Sequence, residues 1–296
     1  MGSVDVIPGI SGGTIAFITG IYQDLIKSID RFSFKKLIKG QFRILWEDVN
    51  GSFLLSLFLG IITGVFFLSG ILIYLFRYHP ISISAFLFGI IFATFFKFIG
   101  LIKDKKIVDY IYLLVSLTVS ISITQLNSFS VEPNLIYLFF CSVIAASAMI
   151  LPGISGAMIF LIFGIYNEIL LVVQNSVRIL FNFNIEDFIS IYSKVISISL
   201  GIILGLKFFS RFVIWLFNYK KRKTVLILTG LVGGSLPKLW PLKECLNVDT
   251  INNLFKSNSD FMICKTNEIA ESILFILAGL VLILVFNRLK KTVEYF

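Results

Sequence analysis

Long apolar runs separated by short polar stretches make up most of this chain, and within the runs there is none of the every-second-residue alternation that marks a strand. Runs of this kind predict helices. Crossing the hydrocarbon layer of a membrane takes about 20 apolar residues, and the runs of suitable length predict spans at residues 53–76, 83–102, 108–126, 193–217, 224–240 and 269–287. Two more apolar stretches carry a helix-breaking insert. Asp5 to Leu25 reads DVIPGISGGTIAFITGIYQDL, and Met149 to Ile169 reads MILPGISGAMIFLIFGIYNEI.

Composition settles the class. Of 296 residues, 57% are hydrophobic and 15% charged, with a mean hydropathy of +0.94, far more apolar surface than a soluble core hides. The chain therefore reads as an all-α, polytopic membrane protein. A net charge of +9 does not point to nucleic acid, because the basic residues sit in short loops and not on the face of a soluble module. Arg31, Lys35, Lys36, Lys39 and Arg43 precede the first span; Lys103, Lys105 and Lys106 follow the second; Lys220, Lys221, Arg222 and Lys223 follow the fourth; Arg288, Lys290 and Lys291 follow the last. If successive spans alternate in direction, these clusters and the C-terminus share one side, which the positive-inside rule makes the cytoplasm.

The insert is part of a longer repeat. Aligning Pro8 with Pro152 also aligns Gly9 with Gly153, Ser11 with Ser155, Gly12 with Gly156, Gly20 with Gly164, Tyr22 with Tyr166 and Asp24 with Glu168. After a slip of three residues, Leu59–Gly64 falls on Leu200–Gly205, Ile73–Tyr78 on Ile214–Tyr219 and Lys97 on Lys238. The predicted halves are residues 1–134 and 135–296, each with a broken, re-entrant helix hairpin and three spans. Three crossings between the motif copies turn the second half upside down, the inverted repeat of many secondary transporters. Residues 135–151 form the first arm of the second hairpin; the corresponding arm of the first is expected upstream of Met1.

Broken helix inside a membrane is tolerated only where protein or a water-filled cavity surrounds it, since an unpaired amide in lipid costs several kcal/mol. Pro8 lacks an amide hydrogen, Gly9 and Gly12 accept unusual backbone angles, and a helix starting near Gly13 leaves N–H groups unpaired. With the hydroxyls of Ser11 and Thr14, these amides make an anion cradle favoured by the helix dipole, repeated by Ser155 and Gly156. The alternative is that Gly and Ser serve only close helix packing. Lys207 and Arg211, four apart on one helix face, are candidate anion-attracting charges. Lys97 and Lys238 near span ends read either as functional charges or as snorkelling side chains. Asp24 and Glu168 read as a structural ion pair or as carriers of a coupling proton or ion.

The remaining polar features carry less. Cys141 reads as a small packing residue, and Cys245 and Cys264 share a predicted external loop in which a disulfide is an expectation; no metal-binding spacing and no cofactor motif occur. The lone His79 beside Pro80 is not read as catalytic. Residues 31–49 mix basic and apolar residues at helical spacing, as in an interfacial helix.

The two motif copies, DVIPGISGGTIAFITGIY and ILPGISGAMIFLIFGIY, resemble the paired signatures of the PopT family of polyprenyl-phosphate transporters, domain-of-unknown-function family 368. The resemblance implies a transporter, not an enzyme, that recycles undecaprenyl phosphate from the outer to the cytoplasmic leaflet of a bacterial cytoplasmic membrane. Its signature maps onto Pro8, Gly9, Ser11, Gly12, Gly13, Thr14, Pro152, Gly153, Ser155 and Gly156. The second copy departs at Ala157 and Met158, which stand where the first has Gly13 and Thr14. Two other readings stay open. A membrane undecaprenyl-pyrophosphate phosphatase also uses a Pro-Gly-x-Ser loop, but phosphoryl chemistry wants an Arg in that loop and a base beside it. A small-anion transporter or channel can use paired Ser-Gly half-helices.

Overall fold

The structure is a computed structural model that describes residues 1–2, 11–100, 102, 106–126, 128, 129, 131, 133–181, 185–242 and 266–289. Twelve α-helices and one 3₁₀ turn are found among them, with no strand. The first half comprises α1 (Gly12–Thr19), α2 (Tyr22–Arg31), α3 (Phe34–Ile38), α4 (Phe42–Asp48), α5 (Gly51–Tyr78), α6 (Pro80–Gly100) and α7 (Ile107–Thr124). The second comprises α8 (Leu135–Ile150), α9 (Gly156–Ile162), α10 (Tyr166–Phe181), α11 (Ile185–Gly233), the 3₁₀ turn Leu236–Leu239 and α12 (Thr266–Leu289).

Of these, α5, α6, α7, α11 and α12 are long and apolar enough to cross a membrane. A sixth candidate is the pair α9–α10, bent by 113° where the chain passes Gly164. The spans predicted at 193–217 and 224–240 are the two arms of α11, which breaks at Lys220 (φ −140°, ψ 46°). The break falls in the polar Lys-Lys-Arg-Lys run, and Arg222 there pairs with Asp109 of α7 at 2.6 Å. The second arm stops at Gly233, short of its predicted end, and Pro237 then sits in the 3₁₀ turn. The predicted loop 77–82 shrinks to His79, because Pro80 opens α6 at the position where a missing N–H costs nothing. Residues 31–49 form two short helices instead of one. Gly40, at φ +68°, turns the chain between α3 and α4.

Around α11 the bundle is assembled: α2, α6, α7, α8 and α10 all pack on it, while α12 lies along α6. Lipid offers no hydrophobic drive between spans, so close contact relies on small residues. At Gly201 a Cβ would lie 2.5 Å from the Phe139 carbonyl oxygen of α8, and at Gly205 it would lie 3.0 Å from the Cα of Val143. The buried core surrounds α1 and α2: Phe17 stacks on Phe98 at 4.5 Å and meets Tyr22 edge-on at 5.7 Å, and Tyr22 in turn faces Phe217. Large apolar side chains such as Phe66, Phe67, Ile107 and Phe208 point outward, as a lipid-facing surface requires. Cys141 is buried, in keeping with a packing role; Cys245 and Cys264 lie outside the described residues.

Candidate functional site

Each motif helix ends in the same way. Gly20 closes α1 at φ +77° and Gly164 follows α9 at φ +69°. The hydrogen bonds correspond bond for bond: Gly20 N–H donates to Phe17 O and Ile21 N–H to Ala16 O, while Gly164 N–H donates to Leu161 O and Ile165 N–H to Phe160 O. This pairing of left-handed glycine with crossed bonds is the Schellman motif. The aligned Gly-Ile-Tyr segments thus share one backbone conformation.

The motif starts differ. Pro8 and Gly9 lie outside the described residues, so the first loop is seen from Ser11 onward. Ser11 caps α1: its Oγ accepts from Gly13 N–H at 3.1 Å and its carbonyl from Thr14 N–H at 2.9 Å. Both Ser11 (4% exposed) and Thr14 (1%) are buried. In the second copy α8 ends at Ile150, Pro152 and Gly153 are buried, and Ser155 occupies the cap position of α9 without a side-chain capping bond. Ser155 and Gly156 are half-buried and Ala157 is exposed.

The two loops touch. Gly153 N–H donates to Thr14 Oγ1 at 2.8 Å, a buried bond joining residues in opposite halves of the chain. Gly13 abuts the end of α8: a Cβ there would lie 3.1 Å from the carbonyl oxygens of Met149 and Ile150. The negative end of α8 therefore meets the positive end of α1. Gly153 is wedged against α11 at φ +91°, where a Cβ would stand 2.6 Å from the carbonyl carbon of Leu231. That carbonyl also accepts from Ser120 Oγ of α7 at 3.0 Å.

The charged candidates are dispersed. Lys207 caps the end of α2, donating to the carbonyls of Asp30 and Phe32, the latter at 2.8 Å, with the Asp30 carboxylate 3.9 Å away. Arg211, one turn on, is exposed. Glu168 pairs with Lys194 of α11 at 2.6 Å, whereas Asp24 is exposed. Lys238 brings its Nζ to 3.4 Å from the sulfur of Met158, in the first turn of α9. Lys97 is half-buried, its Nζ 6.0 Å from the centre of the Phe98 ring that stacks on Phe17. The importance of Lys194 had no sequence signal. That of Thr14 had one: it is a polar position at which the repeat fails, Met158 standing in its place.

Residues 1–255 match a family described as undecaprenyl phosphate translocase-like. The chain belongs to that family. A polyprenyl-phosphate transporter of Vibrio cholerae serotype O1 (strain ATCC 39315 / El Tor Inaba N16961) is 38% identical over 250 residues, covering 83% of this chain and 77% of the relative. A polyprenyl-phosphate transporter of Staphylococcus aureus (strain NCTC 8325 / PS 47) is 27% identical over 254 residues, covering 81% and 83%. No solved structure matches the chain. The membership agrees with the resemblance carried by the two Pro-Gly-Ile-Ser-Gly loops.

Proposed function

We propose that this protein carries polyprenyl phosphate, of the undecaprenyl class, from the outer to the cytoplasmic leaflet of a bacterial cytoplasmic membrane, and that it is a transporter and not an enzyme. The observation that carries the reading is the buried contact between the two motif loops, Thr14 Oγ1 on Gly153 N–H. A lipid phosphate flippase must shelter an anionic headgroup while its hydrocarbon tail stays in lipid. Two loops with amides and hydroxyls at one point suit the headgroup, and an exterior of exposed Phe and Ile suits the tail.

In this arrangement the protein's own oxygens cap the loop amides: Ser11 Oγ takes Gly13 N–H and Thr14 Oγ1 takes Gly153 N–H. A buried amide without a partner costs about 1–3 kcal/mol, so the loops need such stand-ins when no anion is bound. Phosphate oxygens would take over these positions. The headgroup would be held by Pro8, Gly9, Ser11, Gly12, Gly13 and Thr14 from one half and by Pro152, Gly153, Ser155 and Gly156 from the other. Alternating exposure of two inverted halves to the two leaflets would move it, with the basic loops in the cytoplasm. The Lys194 pairing supports a structural role for Glu168, and the exposed Asp24 at the matching position is the acid suited to proton coupling.

The test is leaflet-resolved transport of a labelled polyprenyl phosphate in proteoliposomes. Wild-type protein should move the lipid, and Ser11→Ala should slow it roughly tenfold or more, the effect of losing one hydrogen bond to a charged group. The accompanying loss of a helix cap, about 1 kcal/mol, is read separately as a melting temperature. Release of inorganic phosphate, or chloride flux with no lipid phosphate present, would overturn the reading.

A further inference from the structure

The register that aligns Ile73–Tyr78 with Ile214–Tyr219 places His79 on Lys220. These two residues also share a conformation. His79 joins α5 to α6 at φ −135° and ψ 52°, and Lys220 joins the arms of α11 at φ −140° and ψ 46°. Helical geometry is interrupted at both, so each is a corner about which the helix beyond it can swing. Past the corners the same register matches α6 with the second arm of α11, Ser82 with Lys223 and Gly89 with Gly230. Each matched glycine receives the third span of the opposite half. A Cβ at Gly89 would lie 3.0 Å from the Cα of Ile276 in α12, and one at Gly230 would lie 2.6 Å from the Leu113 carbonyl oxygen in α7. Polar contacts near the corners repeat the exchange. Ser82 Oγ donates to the Glu271 carboxylate of α12, while Lys223 Nζ donates to the Tyr112 hydroxyl of α7 at 3.0 Å and Arg222 pairs with Asp109.

The two halves of the sequence therefore interlock, and beyond the corners the packed units are mixed pairs: α6 with α12, and the second arm of α11 with α7. Each pair holds one copy of the motif. Phe98 of α6 stacks on Phe17 of α1 at 4.5 Å, and the Leu231 carbonyl of α11 backs Gly153 while accepting from Ser120 of α7. The pairs touch where the Phe95 ring of α6 lies on Gly233 of α11, and their motif copies touch at the bond from Gly153 N–H to Thr14 Oγ1.

We infer that transport swings these two mixed pairs against each other about the corners at His79 and Lys220, and not one half of the sequence against the other. This rests on the transport reading above and names its moving parts. Backbones in contact at Gly89 and Gly230 leave little slack within a pair, whereas the crossing of Phe95 over Gly233 turns on a single aromatic ring. Swinging the pairs apart separates Thr14 from Gly153 and opens the buried amide to a phosphate oxygen. Bringing them together restores the hydroxyl as its partner and releases the headgroup.

The experiment measures distances between spin labels by double electron–electron resonance, using the full chain in proteoliposomes with and without polyprenyl phosphate. In a Cys141→Ala, Cys245→Ala, Cys264→Ala background, labels are placed two at a time through Phe96→Cys in α6, Val115→Cys in α7 and Leu274→Cys in α12, all at exposed positions. Transport by the same vesicles is assayed alongside. Residues 96 and 274 belong to one mixed pair but to different halves, and residues 96 and 115 to one half but to different pairs. Lipid phosphate should therefore shift the 96–115 distance by roughly 5 Å and leave the 96–274 distance within about 2 Å of its starting value. The reverse pattern means that the halves move as blocks; it overturns the inference and leaves the transport reading standing. Transport with neither distance changed overturns it as well. Where a labelled variant loses transport that wild type retains, Leu114→Cys and Leu277→Cys supply the second label set. A wild type that moves no polyprenyl phosphate removes the transport reading and this inference with it.

Discussion

Gly153→Ala is expected to lose folded protein, not merely activity. The position demands φ +91°, a region L side chains rarely enter, and a Cβ there would press into the backbone of Leu231. Backbone strain of about 1–3 kcal/mol adds to an overpacking cost of similar size. Because Leu231 belongs to α11, around which the bundle is built, the surrounding structure has little room to move aside. Thermal unfolding in detergent, followed by monodispersity on a sizing column, measures the effect. Gly60→Ala is the matched control: a Cβ there meets nothing within 4 Å, and a mid-helix alanine should leave stability unchanged or raise it by up to about 1 kcal/mol. Equal stability of the two variants would show that the loop does not sit against α11 as described.

Thr14→Val should produce the second large effect, with an unusual dependence on ligand. Valine keeps the volume and removes the acceptor, so the buried Gly153 amide loses its partner at a cost of about 1–3 kcal/mol. Thr14→Ser retains the oxygen and should stay close to wild type. If phosphate oxygens take over the Gly153 amide during transport, polyprenyl phosphate restores in the valine variant what the substitution removed. Its melting temperature should therefore rise more on adding lipid phosphate than that of wild type. An equal rise in both proteins would mean that the headgroup does not reach Gly153.

Both predictions depend on a contact invisible along the chain. The repeat showed that the Pro-Gly-Ile-Ser-Gly loops are equivalent in sequence, and the helices that follow them end in matched Schellman turns at Gly20 and Gly164. The loops nevertheless do unequal work. Ser11 caps its helix, Ser155 makes no such side-chain bond, and the hydroxyl that bridges the halves comes from Thr14, where the second copy has Met158. Lys207 shows the same limit. Its helical spacing from Arg211 suggested a shared charged stripe, yet its ammonium turns to the end of α2, whose unpaired carbonyls accept it.

The sequence by itself determined the class of the protein, its helices and its punctuation. Apolar runs of spanning length leave the backbone no option but to bond internally, and Pro, Gly and basic clusters act on their immediate neighbours, so each of these features is written in consecutive residues. Only the tertiary structure decided which amide meets which hydroxyl, which lysine caps a helix, and that the predicted fourth and fifth spans meet at a sharp kink at Lys220. The reason is geometric. Successive residues turn by about 100° around a helix axis, so a side chain's partner depends on how distant helices pack, and no short window of sequence contains that rotation.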